Sequence, residues 1–533
     1  MDNQPAEVQI GESRHSRSIW ARVVFLVLLT ALAYMTVYRA GFVWDDNDYV
    51  TNNQTLLSPT GLKAIWLHPG AVPQYYPLVH TTYWLEYRFW KLKPLGYHIT
   101  NILLHSANAL LAWYVLSLLR IRSAWLIAAI FAVHPVHVES VAWIAERKNV
   151  LSGFFYLAAL AAYLRYEISD RGPSSWYGAS MLLFLCALLS KTVTCTLPAV
   201  LLLLIWYRRG AVRIGDFVRM IPFFAAGLLL ALVTIDLEKT VVRAVGGEWS
   251  LSLLDRCLIA GRALWFYVGK LLLPVNLAFI YPRWNIEPLA MWSYAYPAAA
   301  LLVMLALWLW RGRFGRGPFV AVAFFAITLL PALGFINAYP MRYSFVADHF
   351  QYLASLGIIT LVVSGVDGLL RNAAVRRFGF AAAVSVLVVL ASLTLRQGLM
   401  YRNVETLWRW TIDANPRAWI AHNNLGAILV QRGAWDLAEE HFRTAISCNP
   451  KHVEALHNLG NCLRLNGDVA GAAKCYRRAI SIAPDYIQSI VALGDLEREQ
   501  GNAAGAVRLY KLALKWDPDD YAARRNLKAL ASP

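Results

Sequence analysis

Eleven apolar runs crowd the first 395 residues of this 533-residue chain, and they leave few folds open to it. They lie at 20–38, 98–119, 124–141, 150–164, 176–189, 193–207, 217–235, 291–310, 319–336, 352–366 and 378–395. A helix needs about 20 apolar residues to cross a bilayer, and shorter runs cross where the helix tilts less or sits inside a bundle. Within hydrocarbon every backbone amide must be paired inside the segment, which a helix of this apolarity achieves by itself. With 58% hydrophobic and only 16% charged residues, the chain reads as an all-α, multi-pass integral membrane protein. After about residue 395 charged, helix-forming sequence takes over. The expected division is a tail 1–18, a membrane domain 19–399 and a C-terminal domain 400–533.

The net charge of +17 does not point to nucleic acid. Much of the excess sits in short clusters between apolar runs, where it orients spans in a membrane. The six cysteines show neither CxxC nor zinc-ligand spacing. A twelfth stretch, 254–273, carries Arg262 and Lys270. If it does not span and the N-terminus is cytoplasmic, the basic clusters 120–122, 207–213, 311–316 and 371–377 all fall inside. That reading makes 254–273 an interfacial or re-entrant helix. It places loops 41–97, 134–149, 237–290 and 337–350, together with the C-terminal domain, on the non-cytoplasmic face. Short outer loops favour a bacterial inner membrane, with the C-terminal domain periplasmic.

Pro416, Pro450, Pro484 and Pro518 recur every 34 residues. In register with them run Asn424-Leu425-Gly426, Asn458-Leu459-Gly460 and Ala492-Leu493-Gly494, with Trp408, Phe442, Tyr476 and Tyr510. That period and pattern mark tetratricopeptide repeats, here a half repeat, three repeats and a terminal helix. Such solenoids hold peptides or partner proteins on a concave face.

Directly after the first apolar run comes GFVWDDNDYVTNN, with Asp45, Asp46 and Asp48 at a helix end. Paired carboxylates there are solvated loop residues, oxygen ligands for a divalent cation, or a base that deprotonates a hydroxyl. His134, His137 and Glu139 in HPVHVE suggest a metal, but Pro135 disturbs the turn and no fourth ligand is evident, which favours a structural or substrate-orienting role. Glu139 near the outer end of a span is itself a site candidate.

The order of these motifs, with Tyr75 and Tyr76 in YYP, LGYH at 95–98, HPVHVESVAWI at 134–144 and then the repeats, resembles the TMTC family of transmembrane, repeat-containing O-mannosyltransferases in the GT-C class. The resemblance implies an inverting transferase that takes a sugar, mannose favoured, from a polyprenyl-phosphate carrier at the non-cytoplasmic face. It implies that Asp45 and Asp46 supply the acidic catalytic residue, and that the acceptor is a protein hydroxyl presented by the repeats. Arg147 and Lys191 sit where the family has basic residues and become candidates for the donor phosphate; topology adds Arg283 and Arg342. Tyr75, Tyr76 and His349 are candidates for orienting substrate. A divalent cation bridging the phosphate, as in some GT-C relatives, is a further expectation. The chain departs from the animal members in having Asp348-His349 before FQYLASLG, and in lacking an acidic neighbour beside Lys191 in SKTVT. A transferase for a glycan or glycolipid acceptor and an inactive membrane-anchored adaptor are the alternatives.

Overall fold

The computed structural model describes residues 6–169, 173–240, 250–369 and 373–531, the side chains of 6–17, 373–376 and 531 excepted. The sequence-based readings of the tail 1–18 and of most of the cluster 371–377 therefore lie outside the described side chains. Among the described residues there are helices and no strand. The chain divides into two compact units, Met1–Leu407 and Trp408–Pro533.

Among the described residues of the first unit, four helices are long and apolar enough to cross a membrane: Pro94–Leu118, Ile214–Thr240, Met291–Leu309 and Arg377–Arg402. Shorter apolar helices include Ser18–Ala33, Ser174–Ser190, Gly317–Ala332 and Ser355–Leu369. The long helices Ile214–Thr240, Met291–Leu309 and Arg377–Arg402 carry Leu229, Leu301 and Val388 at 64%, 71% and 59% exposure. Apolar surface on that scale requires a lipid solvent rather than water.

The run 124–141 is not one continuous span. It forms Ala124–Val133, a single turn Pro135–His137 and the short helix Val138–Ala142, bent by 55° at the break. Proline lacks an N–H and its ring clashes with the preceding turn, so Pro135 ends the helix at an extended His134. Carbonyls stranded by such a break must find partners inside the protein. The Ala132 oxygen is met by His105 Nε2 at 3.1 Å, that of Val133 by Thr394 Oγ1 at 2.7 Å and that of Phe131 by His137 Nδ1 at 2.8 Å. Further on, Asn101 Nδ2 donates to the Val141 carbonyl and the Tyr83 hydroxyl to that of Ile144. These buried polar side chains hold a non-helical backbone inside an apolar bundle. That backbone carries Trp143, Glu146 and Lys148 into the unit's interior.

The stretch 254–273 forms the helix Leu253–Leu272, started by a Ser252/Asp255 capping box. Ala260, Ala263 and Tyr267 pack into a core with Val136, Phe325 and Leu329. Its three basic residues are satisfied locally, Arg256 on the Gly334 carbonyl and Asn337 Oδ1, Arg262 over the Trp284 ring and Lys270 on the carbonyls of Val275 and Asn276.

The second unit is a stack of antiparallel helix pairs, Trp419–Gln431 with Trp435–Cys448, Val453–Leu465 with Val469–Ile482, and Ile487–Glu499 with Ala503–Trp516, closed by Tyr521–Ala531. The 34-residue register has a steric basis. A Cβ on Gly426, Gly460 or Gly494 would come within 2.7, 2.5 and 2.7 Å of the rings of Phe442, Tyr476 and Tyr510 respectively. Each glycine lets the paired helix approach, and the aromatic ring fills the gap.

Candidate active site

A cavity of about 440 Å³ opens in the first unit, lined by the turn after the first helix, Pro73, Gln74 and Tyr76, the broken helix, the turn at Lys191, Glu238, Phe279 and Ile280, and the stretch 328–350. Its charged lining is Asp45, Asp48, Glu139, Glu146, Lys148, Lys191, Glu238 and His349.

One fully buried carboxylate organises the turn. Asp46 accepts the Val43 amide at 2.8 Å through Oδ2 and the Ala145 amide at 2.7 Å through Oδ1. The bracketed turn puts Trp44 at φ 42°, in the left-handed region a bulky side chain rarely occupies. It leaves Asp45 facing the cavity. The two neighbours therefore do different things. Burial pushes the Asp46 carboxyl up to about 8 against the pull of the two amides, so it is largely neutral at pH 7. For Asp45, burial raises the pKa and the Lys148 ammonium partly offsets this, leaving it at about 6 and ionised at pH 7. Of the expected pair, Asp45 lines the cavity and Asp46 is held by backbone amides.

Opposite in charge is a cluster built on Glu146. Its Oε1 lies 2.9 Å from Lys148 Nζ and its Oε2 3.3 Å from Lys191 Nζ. Asn149 ties the group together, donating to Glu146 at 2.6 Å and accepting from Lys191 at 2.7 Å. His349 Nδ1 sits 2.9 Å from Glu139 Oε1, and the His349 amide donates to the other oxygen of that carboxylate. Burial alone would raise Glu146, but His349, Lys148 and Lys191 outweigh it and hold it near 2. Burial lowers Lys191 to about 8, with Glu146 pulling the other way. The two lysines thus share Glu146 as an ion-pair partner on the cavity wall.

The other expected residues divide by position. Lys191, His349, Glu139 and Tyr76 line the cavity. Arg147 does not: its guanidinium is buried in the other direction, 2.8 Å from Glu86, donating to the Tyr97 carbonyl and to Asn101, and lying over the Tyr83 ring. It fixes the start of the helix Arg147–Ile168, and its neighbour Lys148 takes the place at the cavity. Successive helical residues point about 100° apart, so of two adjacent bases only one faces a given wall. Arg283 is exposed and lies over Phe345. Arg342 stands between two lining residues, Met341 and Tyr343, and is not itself in the lining. Tyr75 points away, its hydroxyl on the Trp66 carbonyl. His134 bonds the Leu271 carbonyl at 3.0 Å, while His137 bonds Phe131 and lies 3.0 Å from Ser355 Oγ. Both histidines serve the broken backbone. Among the described residues no three histidine, cysteine or carboxylate side chains are grouped to hold a metal ion. Glu139 is engaged by His349 and Glu146 by Lys148 and Lys191, while Asp45 and Asp48 also line the cavity.

Comparison with known proteins fits this arrangement. A tetratricopeptide-repeat family profile matches residues 417–485, and a second matches 487–520. The chain is thus a multi-pass membrane protein with tetratricopeptide repeats and a buried charged cavity. Its homologues are the TMTC-family protein O-mannosyl-transferases. It is 25% identical to Protein O-mannosyl-transferase F38B6.6 of Caenorhabditis elegans, over 83% of this chain and 64% of that protein. With mouse TMTC3 it shares 24% identity over 79% of this chain and 50% of that one. A 161-residue stretch is 35% identical to Xenopus laevis tmtc2, covering 28% of this chain and 19% of the relative. The chain spans 64% and 50% of the length of the first two of these relatives.

Proposed function

We propose that this protein is an inverting glycosyltransferase that moves a sugar, mannose favoured, from a polyprenyl-phosphate carrier to a hydroxyl of a protein acceptor at the non-cytoplasmic face of a membrane. The observation that carries the proposal is one cavity-facing carboxylate, Asp45, in the same chamber as two lysines paired through Glu146. Such a displacement makes two demands. The acceptor hydroxyl must lose a proton as its oxygen bonds to the anomeric carbon, and the bond from that carbon to the phosphate oxygen must break with negative charge growing on the phosphate. Asp45, with a pKa near 6, takes the proton. Lys148 and Lys191, with His349 beside them, receive the phosphate in a site sheltered from bulk water. Glu146 keeps the two ammoniums in place before the donor arrives, so little reorganisation accompanies the reaction. The relatives' name as protein O-mannosyl-transferases supports both the sugar and the protein acceptor. In this reading the repeats recruit the acceptor polypeptide, and the protein sits in a bacterial inner membrane with its repeats periplasmic.

The test is transfer from tritiated polyprenyl-phosphate mannose to a mixed envelope fraction by the full chain in lipid nanodiscs. Label that stays with protein after lipid extraction and is released by alkaline β-elimination supports the proposal. Label confined to glycolipid or glycan gives the acceptor to the alternative, and no transfer despite measured donor binding leaves the adaptor.

A further inference from the structure

Resting on the donor reading above, we infer that Trp44 and Trp143 form the subsite for the sugar ring, with the Trp143 indole N–H donating to a sugar hydroxyl. Both side chains line the charged cavity. Their ring planes are within 6° of parallel, with centroids 6.0 Å apart. Phe279 meets both edge-on, at 5.3 and 5.0 Å, and Tyr343 lies at 5.8 Å from Trp44. Four aromatic rings in one chamber give a wall suited to the apolar C–H face of a pyranose.

Two further observations point to a ligand. Trp143 is 5% exposed, and its Nε1 is buried without a hydrogen-bond partner. A buried indole N–H normally finds an acceptor, and a sugar hydroxyl in this cavity supplies one. Trp44, for its part, holds its place in a backbone conformation that bulky residues avoid. Such strain persists only where the surroundings over-determine it, and functional sites are where it collects. The determinant here is Asp46, whose two oxygens hold Val43, one residue before Trp44, and Ala145, two residues after Trp143. One carboxylate thereby sets the register of both indoles.

The placement also agrees with the chemistry next to it. Lys148 Nζ lies 5.8 Å from the Trp143 ring centroid, and Asp45 follows Trp44 in the chain. A hexosyl phosphate with its phosphate on the lysines has its ring against Trp143, with the anomeric carbon as the ring atom nearest the lysines. The base then stands at the other indole.

The experiment compares binding of two probes, undecaprenyl phosphate and undecaprenyl-phosphate mannose, to the full chain in nanodiscs by native mass spectrometry. Wild type is expected to prefer the sugar-bearing probe. Trp143→Phe keeps a ring and removes the N–H, and should cut that preference about fivefold to tenfold, the scale of one buried hydrogen bond. Binding of the bare carrier should stay within about twofold, since it involves the lysines alone. Trp44→Phe should also reduce the preference. A preference unchanged in both variants, or an equal loss for both probes, overturns the inference. If wild type binds the two probes equally, the tryptophan subsite falls while the donor reading stands. If it binds neither, the donor reading falls and takes the subsite with it.

Discussion

Asp46 accepts the backbone amide of Ala145 at 2.7 Å across 99 residues of sequence, and so locks the turn after the first helix to the broken helix that carries Trp143, Glu146 and Lys148. The adjacent carboxylates are thus a structural clamp and a chemical group, in that order of burial.

Substitution separates them. Asp46→Asn keeps the shape but presents an NH2 to one of two amides that both need an acceptor. Leaving a buried amide unpaired costs about 1–3 kcal/mol, so thermal stability and transfer should fall together. Asp45→Asn should cut transfer by about 10²–10⁴-fold while holding or raising the melting temperature at pH 7. The sign follows from linkage: a carboxyl raised to about 6 gives a stabilising contribution below its unfolded pKa that is lost as pH rises through 6, and asparagine has no such loss. Melting curves of both variants, set beside their rates, check this.

The pH profile of kcat/KM should be bell-shaped. Activity rises as Asp45 ionises through about 6, and falls as Lys191 loses its proton above about 8. Lys191→Arg keeps the charge at high pH and should remove the alkaline limb while leaving the acid limb in place.

Neighbouring bases should fail in different ways. Lys148→Gln removes a charge facing the cavity but leaves Glu146 paired with Lys191, so it should raise the donor KM at a smaller cost in stability than the loss of Arg147. Arg147→Gln strands Glu86, buried beside it, and should cost about 3–5 kcal/mol of stability, the range for breaking a buried ion pair. Donor titrations and thermal melts of the two variants distinguish them.

In the repeats, Gly460→Val puts methyl groups where the buried Tyr476 ring already lies 2.5 Å from a would-be Cβ. Overpacking of this kind costs about 1–3 kcal/mol, which should appear as a lower melting temperature for the second unit.

The repeats were legible in the sequence because a fixed 34-residue period marks the same glycine-against-aromatic contact three times. The membrane character was legible from the apolar runs for a similar reason, since each helix meets the bilayer largely on its own. The site was legible only in part. Asp45, Lys191, Glu139 and His349 could be reached through motifs and topology. Lys148 could not be told from Arg147, because which of two adjacent bases enters the cavity depends on how Glu86, Asn101 and Tyr97 capture the other. Nor does the sequence separate Asp45 from Asp46, since the difference lies in one hydrogen bond to a residue 99 positions away. The break at Pro135 carried a local signal, the proline within an apolar run. That the break serves to carry charge into the bundle became visible only with Glu146 and the lysines in place.

The most direct test of the account is single-turnover sugar transfer by wild type and Asp45→Asn, with polyprenyl-phosphate mannose held above its measured dissociation constant for each. The account predicts unchanged donor binding and a loss of about 10²–10⁴-fold in the transfer rate, the scale of general-base catalysis. Transfer at the wild-type rate from a fully loaded Asp45→Asn variant would contradict it.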